Sequence, residues 1–393
     1  MKKTMAVILA MGILCTSSVT AFCTSSTEVV SKASDKVYTN ADSLDSIVSI
    51  ESFDGYAFDG RLRLPEGEEI DKVVVFVNGS GPNTYDNHRN TGDVEFNYFD
   101  LFAEQLNSRG IAFFSYNTRG VTPGEEPPLY AQIDVEEYQK YIPSNEVRDV
   151  ECIIRELKEI DRLKDAEVYL LGWSAGTIIA PLVAKNGNVQ VDALLLAGYC
   201  NDKMEDVLMW QQTGGSSMVF YKQYYDYDGN GKISKEEFEE DQFGLKDYIG
   251  ATFEQIDVNQ DGVMDEADFS EMLKPGREAI FDAIERRDDQ WLKDNYGVYL
   301  TSAWFWDYRN TPANRDTLPQ LDMPIHIFHG TYDANVSVQG VYDIQDKFEA
   351  LGKDNLQIHV FDDNDHDLNY VMYVLTGEVP EGIAEIFEVC ENL

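Results

Sequence analysis

Two patterns of apolar and polar residues occur between residues 46 and 77, and each predicts a different kind of strand. In residues 46–53 and 56–65, apolar and polar side chains alternate, which predicts an antiparallel hairpin with one buried face. Residues 72–77, KVVVFV, are apolar almost without interruption and lead into a glycine-rich turn. Such a strand is expected to be buried on both faces, as in a parallel sheet covered by helices.

Helical and strand-like patterns then alternate along the chain. The expected helices cover residues 99–110, 144–160, 175–187 and 337–350, and the expected strands cover residues 111–117, 167–172, 191–198, 323–330 and 356–361. Ser144 or Asn145 is the expected N-cap of the second helix. The alternation predicts an α/β fold with a doubly wound, mostly parallel sheet and ligands at the carboxyl ends of its strands.

Residues 201–316 interrupt this alternation. They lack the β-branched runs of the sheet and are rich in Tyr, Phe, Asp and Glu in short amphipathic patterns. The interruption predicts a helical cap inserted between two parts of the sheet domain, residues 46–200 and 317–393.

The first 21 residues have the layout of a signal peptide: two lysines, an apolar run from Met5 to Cys15 and small residues ending at Ala21. Residues 22–45 are the expected linker, and secretion is the expected location. The apolar run is too short for a permanent membrane-spanning helix. A lipid anchor on Cys15 or Cys23 is an alternative that the large residue before each cysteine disfavours.

The composition limits the partners of the protein. A formal net charge of −40 and a pI near 4.2 argue against nucleic acid and anionic membranes, because both require cationic patches on the protein. The same excess of carboxylates supplies ligands for hard cations.

Residues 226–237, DYDGNGKISKEE, have the spacing of a calcium loop. Side-chain oxygens recur at alternate positions, Gly231 permits the sharp turn, and a glutamate able to bind in bidentate fashion stands at position 12. The predicted ligands are Asp226, Asp228, Asn230, the carbonyl of Lys232, and Glu237.

A second loop with the same spacing covers residues 257–268. Its predicted ligands are Asp257, Asn259, Asp261, the carbonyl of Val263, and Asp268. The aspartate at the last position reaches the ion less easily than glutamate, so this Ca²⁺ site should be weaker or more tolerant of Mg²⁺. Val263 and Met264 are expected to pair with Lys232 and Ile233. The two loops and their flanking helices, residues 216–275, resemble a pair of EF-hands, for which a structural role is favoured over calcium sensing.

The sequence GWSAG, residues 172–176, lies between an expected strand and an expected helix. In that context a G-x-S-x-G sequence is typical of a nucleophile elbow, which exposes the hydroxyl of Ser174. An unreactive loop serine is the alternative. An oxyanion hole would need two backbone amides, and those of Ser80, in the turn after the first buried strand, and Ala175 are predicted.

A serine nucleophile needs a base, and the chain has five histidines. His326 and His359 fall within expected strands, His329 ends a strand and is expected to be structural, and His88 could line the pocket. His366 lies in a loop after the last strand, from which its imidazole can reach Ser174, and it is the predicted base.

The predicted acid is Asp333, which follows the strand at residues 323–330. The order Ser174, Asp333, His366 is the one expected when a nucleophile elbow is carried by a sheet of this kind. The alternatives lie in the same loop as the histidine and are poorly placed to orient it: Asp362, Asp363 and Asp365.

Five sequences in this order, NGSGP, YNTRGV, GWSAG, HGTYDANV and NDHDLN, resemble the α/β-hydrolase superfamily and its branch of secreted bacterial esterases and serine-aminopeptidase-like hydrolases. The resemblance covers residues 46–200 and 317–393. It departs from the family at Asn78, where His is usual, and at Asn117, where Asp is usual. Family members carry caps after the strand at 191–198, so the resemblance implies a lid above Ser174. Aromatic residues in 216–227 and 302–308 are expected either to wall an apolar acyl pocket or to form the core of the cap.

These features predict a secreted hydrolase of small-molecule carboxylic esters, acting through a Ser-His-Asp triad and an acyl-enzyme, with a cap that binds Ca²⁺. One alternative is a serine aminopeptidase-like peptidase, which would need a carboxylate in the cap to bind the substrate's amine. Another is a calcium-binding module without catalytic activity.

Overall fold

The structure is a computed structural model that describes residues 44–67 and 69–393. The predicted signal peptide, residues 1–21, and nearly all of the predicted linker, residues 22–45, lie outside the described residues. The first strand already begins at Asp45, the last residue assigned to the linker.

The strands of the described chain are β1 (Asp45–Glu51), β2 (Ala57–Arg63), β3 (Lys72–Val77), β4 (His88–Thr91), β5 (Val94–Asn97), β6 (Ala112–Tyr116), β7 (Val121–Pro123), β8 (Ala131–Ile133), β9 (Glu167–Trp173), β10 (Ala193–Ala197), β11 (Ile233–Ser234), β12 (Val263–Met264), β13 (Ile325–Gly330) and β14 (Leu356–Phe361).

The helices are α1 (Tyr98–Asn107), α2 (Val135–Tyr138), α3 (Pro143–Lys158), α4 (Gly176–Asn186), α5 (Met204–Gln212), α6 (Gly215–Tyr225), α7 (Lys235–Glu240), α8 (Lys246–Ile249), α9 (Phe253–Ile256), α10 (Glu266–Arg286), α11 (Asp289–Asn295), α12 (Ser302–Tyr308), α13 (Asn314–Thr317), α14 (Gln339–Leu351), α15 (Tyr370–Thr376) and α16 (Glu381–Asn392). None of these helices combines the length and the apolar character needed to cross a membrane.

Eight strands form one sheet in the order β1-β2-β6-β3-β9-β10-β13-β14. β2 runs antiparallel to β1 and to β6, whereas the strands from β6 to β14 are parallel to their neighbours. The predicted hairpin and the predicted mostly parallel α/β sheet are therefore confirmed.

Side chains of β3 alternate between two apolar cores on opposite faces of the sheet. Val73, Val75 and Val77 pack into one core, and Val74 and Phe76 pack into the other. Burial on both faces explains why this strand is apolar without alternation.

Helix α3 begins one residue earlier than the sequence predicted. Ile142 is its N-cap and Pro143 its first residue, so the expectation that Ser144 or Asn145 caps the helix is wrong. Proline suits the first helical position because its missing N–H would have no partner within the helix. The amide of Ser144 instead donates to the carboxylate of Asp307, a residue of the cap, over 2.7 Å.

The cap is formed by α5 to α13, and two apolar clusters divide it. One cluster joins cap residues, among them Leu208 and Trp304, to Ala175 and Ile178 of the sheet domain. The other is a separate small core around β11 and β12.

The register of β11 and β12 differs from the prediction by one residue. Ile233 pairs with Met264 and Ser234 with Val263, whereas Lys232 and Ile233 were the expected partners. Ile233 and Met264 are both fully buried. A one-residue slip would place the exposed Lys232 opposite Met264, so burial sets the register.

Candidate active site

Ser174 lies in a tight turn between β9 and α4. Its φ angle is 53°, which is unusual for a residue with a side chain. A Cβ atom on Gly172 would lie 2.5 Å from the carbonyl oxygen of Gly176, and one on Gly176 would lie 2.2 Å from the carbonyl oxygen of Val77. Only glycine fits at these two positions, so the G-x-S-x-G sequence allows the turn to pack against the ends of β3 and β9.

The structure brings Asp333 and His366 together at the ends of β13 and β14. His366 Nδ1 donates to Asp333 Oδ2 over 2.7 Å. The other carboxylate oxygen accepts the amides of Asn335 and Val336 at 2.8 and 2.9 Å. Burial alone would raise the pKa of Asp333, but the two neighbouring imidazoles, those of His366 and His329, and the Val336 amide hold it below its usual value.

Charge around His366 favours its protonated form. Burial would lower its pKa, but Asp333, followed by Asp367 and Asp365, raises the pKa to about 9. In the free protein the imidazole is therefore mostly protonated at pH 7, and the basic form increases as the pH rises toward 9.

The imidazole of His366 lies against the backbone that follows β10, close to the nucleophile elbow. The amide of Ser174 donates to the carbonyl of Ala197 over 2.9 Å. A Cβ atom on the next residue, Gly198, would lie 2.7 Å from Cε1 of His366. Within the described residues, Ser174 Oγ and His366 Nε2 do not form a hydrogen bond. Such contacts are often long in ligand-free enzymes and shorten when substrate binds.

The alternative acids in the loop of His366 make other contacts. Asp365 accepts the amides of Asp367 and Asn369, and the amide of Asp363 donates to Thr331. Asp362 is not the partner of His366 Nδ1, which donates to Asp333.

Ser80 and Ala175, the predicted oxyanion residues, line the same cleft as Ser174. Within the described chain, neither of their backbone amides donates a hydrogen bond to another protein group. The side chain of Asn83 holds the turn that carries Ser80, because its amide donates to the carbonyls of Gly79 and Gly81 at 3.0 and 3.1 Å. The two amides are thus available to a ligand.

The two positions that depart from the family pattern bind backbone. Asn78 donates to the carbonyl of Tyr116 over 3.0 Å, and Asn117 accepts the amide of Tyr85 over 2.8 Å. Both asparagines are buried and tie the turn after β3 to the end of β6. Their roles in this structure are structural.

The cleft beside Ser174 has a volume of about 120 Å³ and, among the described residues, no charged side chain in its wall. Cap helices α5, α6 and α10 form one side of the cleft. The lining residues are Ser80, Ser174, Ala175, Cys200, Met204, Val207, Leu208, Gln211, Gln212, Ser216, Ser217, Leu273, Tyr296, Val298, Leu300, Trp304, Asn335 and Val336. Such a wall suits an uncharged ligand.

The sequence left open whether the aromatic residues of the cap wall the pocket or form the core of the cap. Few of them line the cleft. From residues 216–227 only Ser216 and Ser217 reach the cleft, and from residues 302–308 only Trp304 does. Tyr221 and Tyr225 pack instead in the core around β11 and β12, because that small subdomain needs its own apolar interior.

The residues that line the cleft include no histidine, and the four histidines other than His366 make contacts elsewhere. His326 and His359 contact each other at 3.1 Å, and His359 also lies 3.2 Å from Glu385. His88 contacts the side chain of Asn97 at 2.8 Å. His329, by contrast, contacts Asp333, a role that the sequence did not predict; its position directly before Gly330 at the end of β13 was the available signal.

The first loop of the cap holds its carboxylates close together. Asp226, Asp228 and Glu237 can each place an oxygen within 4.8 Å of the others. Glu237 accepts the amides of Tyr227, Asp228 and Ser234, and Asp226 accepts those of Asn230 and Gly231. The donor set of carboxylates with an asparagine amide fits a hard cation.

The second loop repeats this hydrogen-bonding pattern. Asp268 is fully buried and accepts the amides of Asn259 and Asp265, and Asp257 accepts those of Asp261 and Gly262. The two loops differ in how close their carboxylates lie. Within the described residues, a group of three carboxylates with oxygens within 4.8 Å of one another occurs in the first loop and not in the second.

The sequence of the chain matches a known protein family. A family model described as Alpha/beta hydrolase family matches residues 74–386. The match includes β3 from Val74 onward, the elbow, the cap, Asp333 and His366.

Individual relatives match over shorter regions. Esterase EstD of Thermotoga maritima is 27% identical over 158 residues, which are 40% of this chain and 34% of that protein. A probable dipeptidyl-aminopeptidase B of Ajellomyces capsulatus is 41% identical over 63 residues, 16% of this chain and 7% of that protein. The chain thus matches about a third of the first relative and less of the second. Among solved structures, Est1E from Butyrivibrio proteoclasticus aligns with 88% of this chain and 96% of its own, at 11% identity and a TM-score of 0.44.

Proposed function

Because the chain belongs to the alpha/beta hydrolase family, we propose that it is a secreted serine hydrolase that cleaves carboxylic esters with uncharged acyl groups. The observation that carries this proposal is the hydrogen bond between His366 and Asp333, beside an elbow serine that opens into an uncharged cleft. Secretion rests on the signal-peptide layout of residues 1–21.

In the proposed reaction, Ser174 Oγ attacks the ester carbonyl carbon while its proton passes to Nε2 of His366. Asp333 keeps the other ring proton on Nδ1 and stabilises the imidazolium. The amides of Ser80 and Ala175 bind the oxyanion. Nε2 then protonates the leaving alcohol, and water, activated by the same imidazole, releases the acid from the acyl-enzyme.

The cleft favours esters over the peptidase alternative. An aminopeptidase must bind a protonated amine, for which a carboxylate in the cleft is the usual partner. The wall of this cleft consists of apolar and neutral polar side chains in the described structure, although the whole chain carries a net charge of −40. The acidic residues of the cap therefore do not supply the missing amine site.

A direct comparison of substrates tests this proposal. We expect p-nitrophenyl esters of short and medium acyl chains to be hydrolysed at least about 100-fold more efficiently, by kcat/KM, than aminoacyl p-nitroanilides, because an unpaired buried ammonium is costly. A Ser174→Ala variant, purified in the same way and assayed on the same substrates, provides the background rate. Faster cleavage of the aminoacyl anilides would favour the peptidase, and no cleavage of either class would favour a non-catalytic module.

We further propose that the cap binds Ca²⁺ in two loops and that the ions mainly stabilise it. In the first loop the ligands would be Asp226, Asp228, Asn230, the carbonyl of Lys232, and Glu237; in the second they would be Asp257, Asn259, Asp261, the carbonyl of Val263, and Asp268. A bound cation would reduce the repulsion between these carboxylates and hold each loop closed. The shorter Asp268 makes the second site the weaker and more Mg²⁺-tolerant of the two in this proposal.

Removal of Ca²⁺ should lower the thermal stability of the cap. With Ca²⁺ at about 100 times its dissociation constant, binding contributes about 2.7 kcal/mol, which corresponds to a Tm shift on the order of 5 °C. Scanning calorimetry with Ca²⁺, Mg²⁺ or chelator measures this shift. Glu237→Gln should remove most of it, whereas Glu236→Gln, the exposed neighbour outside the ligand set, should not. Equal melting with Ca²⁺ and with chelator would contradict the proposal.

A further inference from the structure

His329 has a fully buried imidazole at the end of β13. Its Nδ1 accepts the backbone amide of Tyr199 over 3.0 Å. Since an amide can only donate, Nδ1 carries no proton and the ring proton is on Nε2. Nε2 lies 3.1 Å from the carbonyl oxygen of Val336 and 3.3 Å from Asp333 Oδ2. Burial lowers the pKa of His329, so the ring is neutral.

The Nε2–H group of His329 donates to the carbonyl of Val336 and lies 3.3 Å from Asp333 Oδ2, next to the donors that hold the carboxylate. Oδ1 of the carboxylate faces two backbone amides, and Oδ2 faces His366 Nδ1 and His329 Nε2. A carboxylate held at both oxygens by buried donors has little freedom to rotate away from its partner. The imidazole of His329 binds the carbonyl of Val336, whose own amide donates to Oδ1, so the ring holds the segment that binds the carboxylate.

His329 also contacts the surface on which His366 lies. Its Nδ1 holds the amide of Tyr199, and the preceding Gly198 is the residue against which the His366 ring packs. One buried ring therefore contacts both the acid and the backbone that supports the base.

We propose that His329 is a positioning residue for the Asp333–His366 pair: its Nε2–H group, bound to the carbonyl of Val336 beside Asp333, fixes the segment that holds the carboxylate and so keeps Oδ2 directed at Nδ1 of His366. The inference rests on the proposed serine hydrolase function. His329 touches no substrate; it acts through Asp333.

Three substitutions separate the two contacts of the ring. His329→Gln keeps a donor near the position of Nε2, His329→Asn keeps an acceptor near Nδ1, and His329→Leu keeps neither. We expect the Gln variant to retain kcat/KM within about threefold, and the Asn and Leu variants to lose on the order of 10- to 100-fold, the effect of leaving the buried carbonyl of Val336 without its donor.

The pH profile provides a readout that a packing role would not change. The charged and titratable groups that face His366 are Asp333, Asp365, Asp367 and His329. Without the Nε2–H dipole 3.3 Å from Oδ2, the carboxylate attracts the imidazolium more strongly, so the pH midpoint of His366 should rise in the Asn and Leu variants and stay near wild type in the Gln variant. The midpoint is measured from kcat/KM and, independently, from the NMR titration of the His366 ring proton.

These measurements keep the inference separate from the proposed function. If the wild type hydrolyses no ester and takes up no fluorophosphonate, the proposed function fails, and the NMR midpoints alone decide the role of His329. Two results would overturn the inference. In one, the pH midpoint of His366 shifts as far in the Gln variant as in the Asn variant. In the other, the midpoint of the Asn variant equals that of the wild type. If the Leu variant does not fold, the comparison of Gln with Asn decides.

Discussion

Substitution of Ser174 by alanine is expected to lower kcat for a short acyl ester by about 10⁶-fold. The reason is that every covalent step of the proposed reaction passes through Ser174 Oγ. The oxyanion amides and the cleft would remain and would account for any residual rate over water. Steady-state kinetics on a p-nitrophenyl ester, with enzyme concentration raised for the variant, measures the loss.

Ser108→Ala, at the end of α1 and distant from the cleft, provides the matched control and should keep the wild-type rate. Both variants should unfold cooperatively at similar temperatures. An alanine variant at position 174 that retained more than about one hundredth of wild-type kcat would contradict the assignment of the nucleophile.

Asp333→Asn is expected to produce the second largest loss, about 10⁴-fold in kcat. The carboxylate fixes the proton of His366 on Nδ1 and leaves Nε2 free to accept the serine proton. An amide that turns its NH₂ group toward Nδ1 would favour the other tautomer, which cannot act as the base.

The same substitution should change the pH dependence in a defined direction. In the wild type, kcat/KM should rise with pH toward a midpoint of about 9, because only the neutral imidazole accepts a proton and Asp333 raises the pKa of His366. Without the carboxylate charge, burial dominates and the midpoint should move to lower pH. Asp365→Asn, which removes a nearby charge that does not contact Nδ1, should cost less than about tenfold. Two results would contradict this explanation. One is a wild-type kcat/KM midpoint near 6.5, the ordinary pKa of histidine. The other is a midpoint in Asp333→Asn that equals the wild-type midpoint.

The charge distribution has a consequence for substrate choice. A net charge of −40 creates a negative field around the protein, while the cleft wall is uncharged. A neutral ester would enter this cleft without an electrostatic penalty, whereas this field would repel an anionic substrate. This distribution agrees with a neutral ester as substrate.

Elements that depend on local pattern could be predicted from the sequence. The apolar run of β3 predicted a strand buried on both faces, and its alternate residues do enter two different cores. The glycines at 172 and 176 predicted a tight turn at Ser174, because no other residue fits there. The chain order of Asp333 and His366 predicted a pair that the structure brings into hydrogen-bonding contact.

Features that depend on distant contacts could not be predicted in the same way. The register of β11 and β12 is set by the common burial of Ile233 and Met264, which the loop spacing does not encode. The amide of Ser144 finds its partner, Asp307, far along the chain. The surroundings of His329 are assembled from three segments, so its sequence position suggested only a structural residue.

The proposed function requires that Ser174 is a nucleophile activated by His366 and Asp333. Incubation of the wild-type protein with a fluorophosphonate, followed by intact-mass measurement and peptide mapping, tests this claim most directly. We expect a single adduct on Ser174, formed faster as the pH rises toward 9 and strongly slowed in Asp333→Asn. An unmodified protein, or an adduct on a different residue, would contradict it.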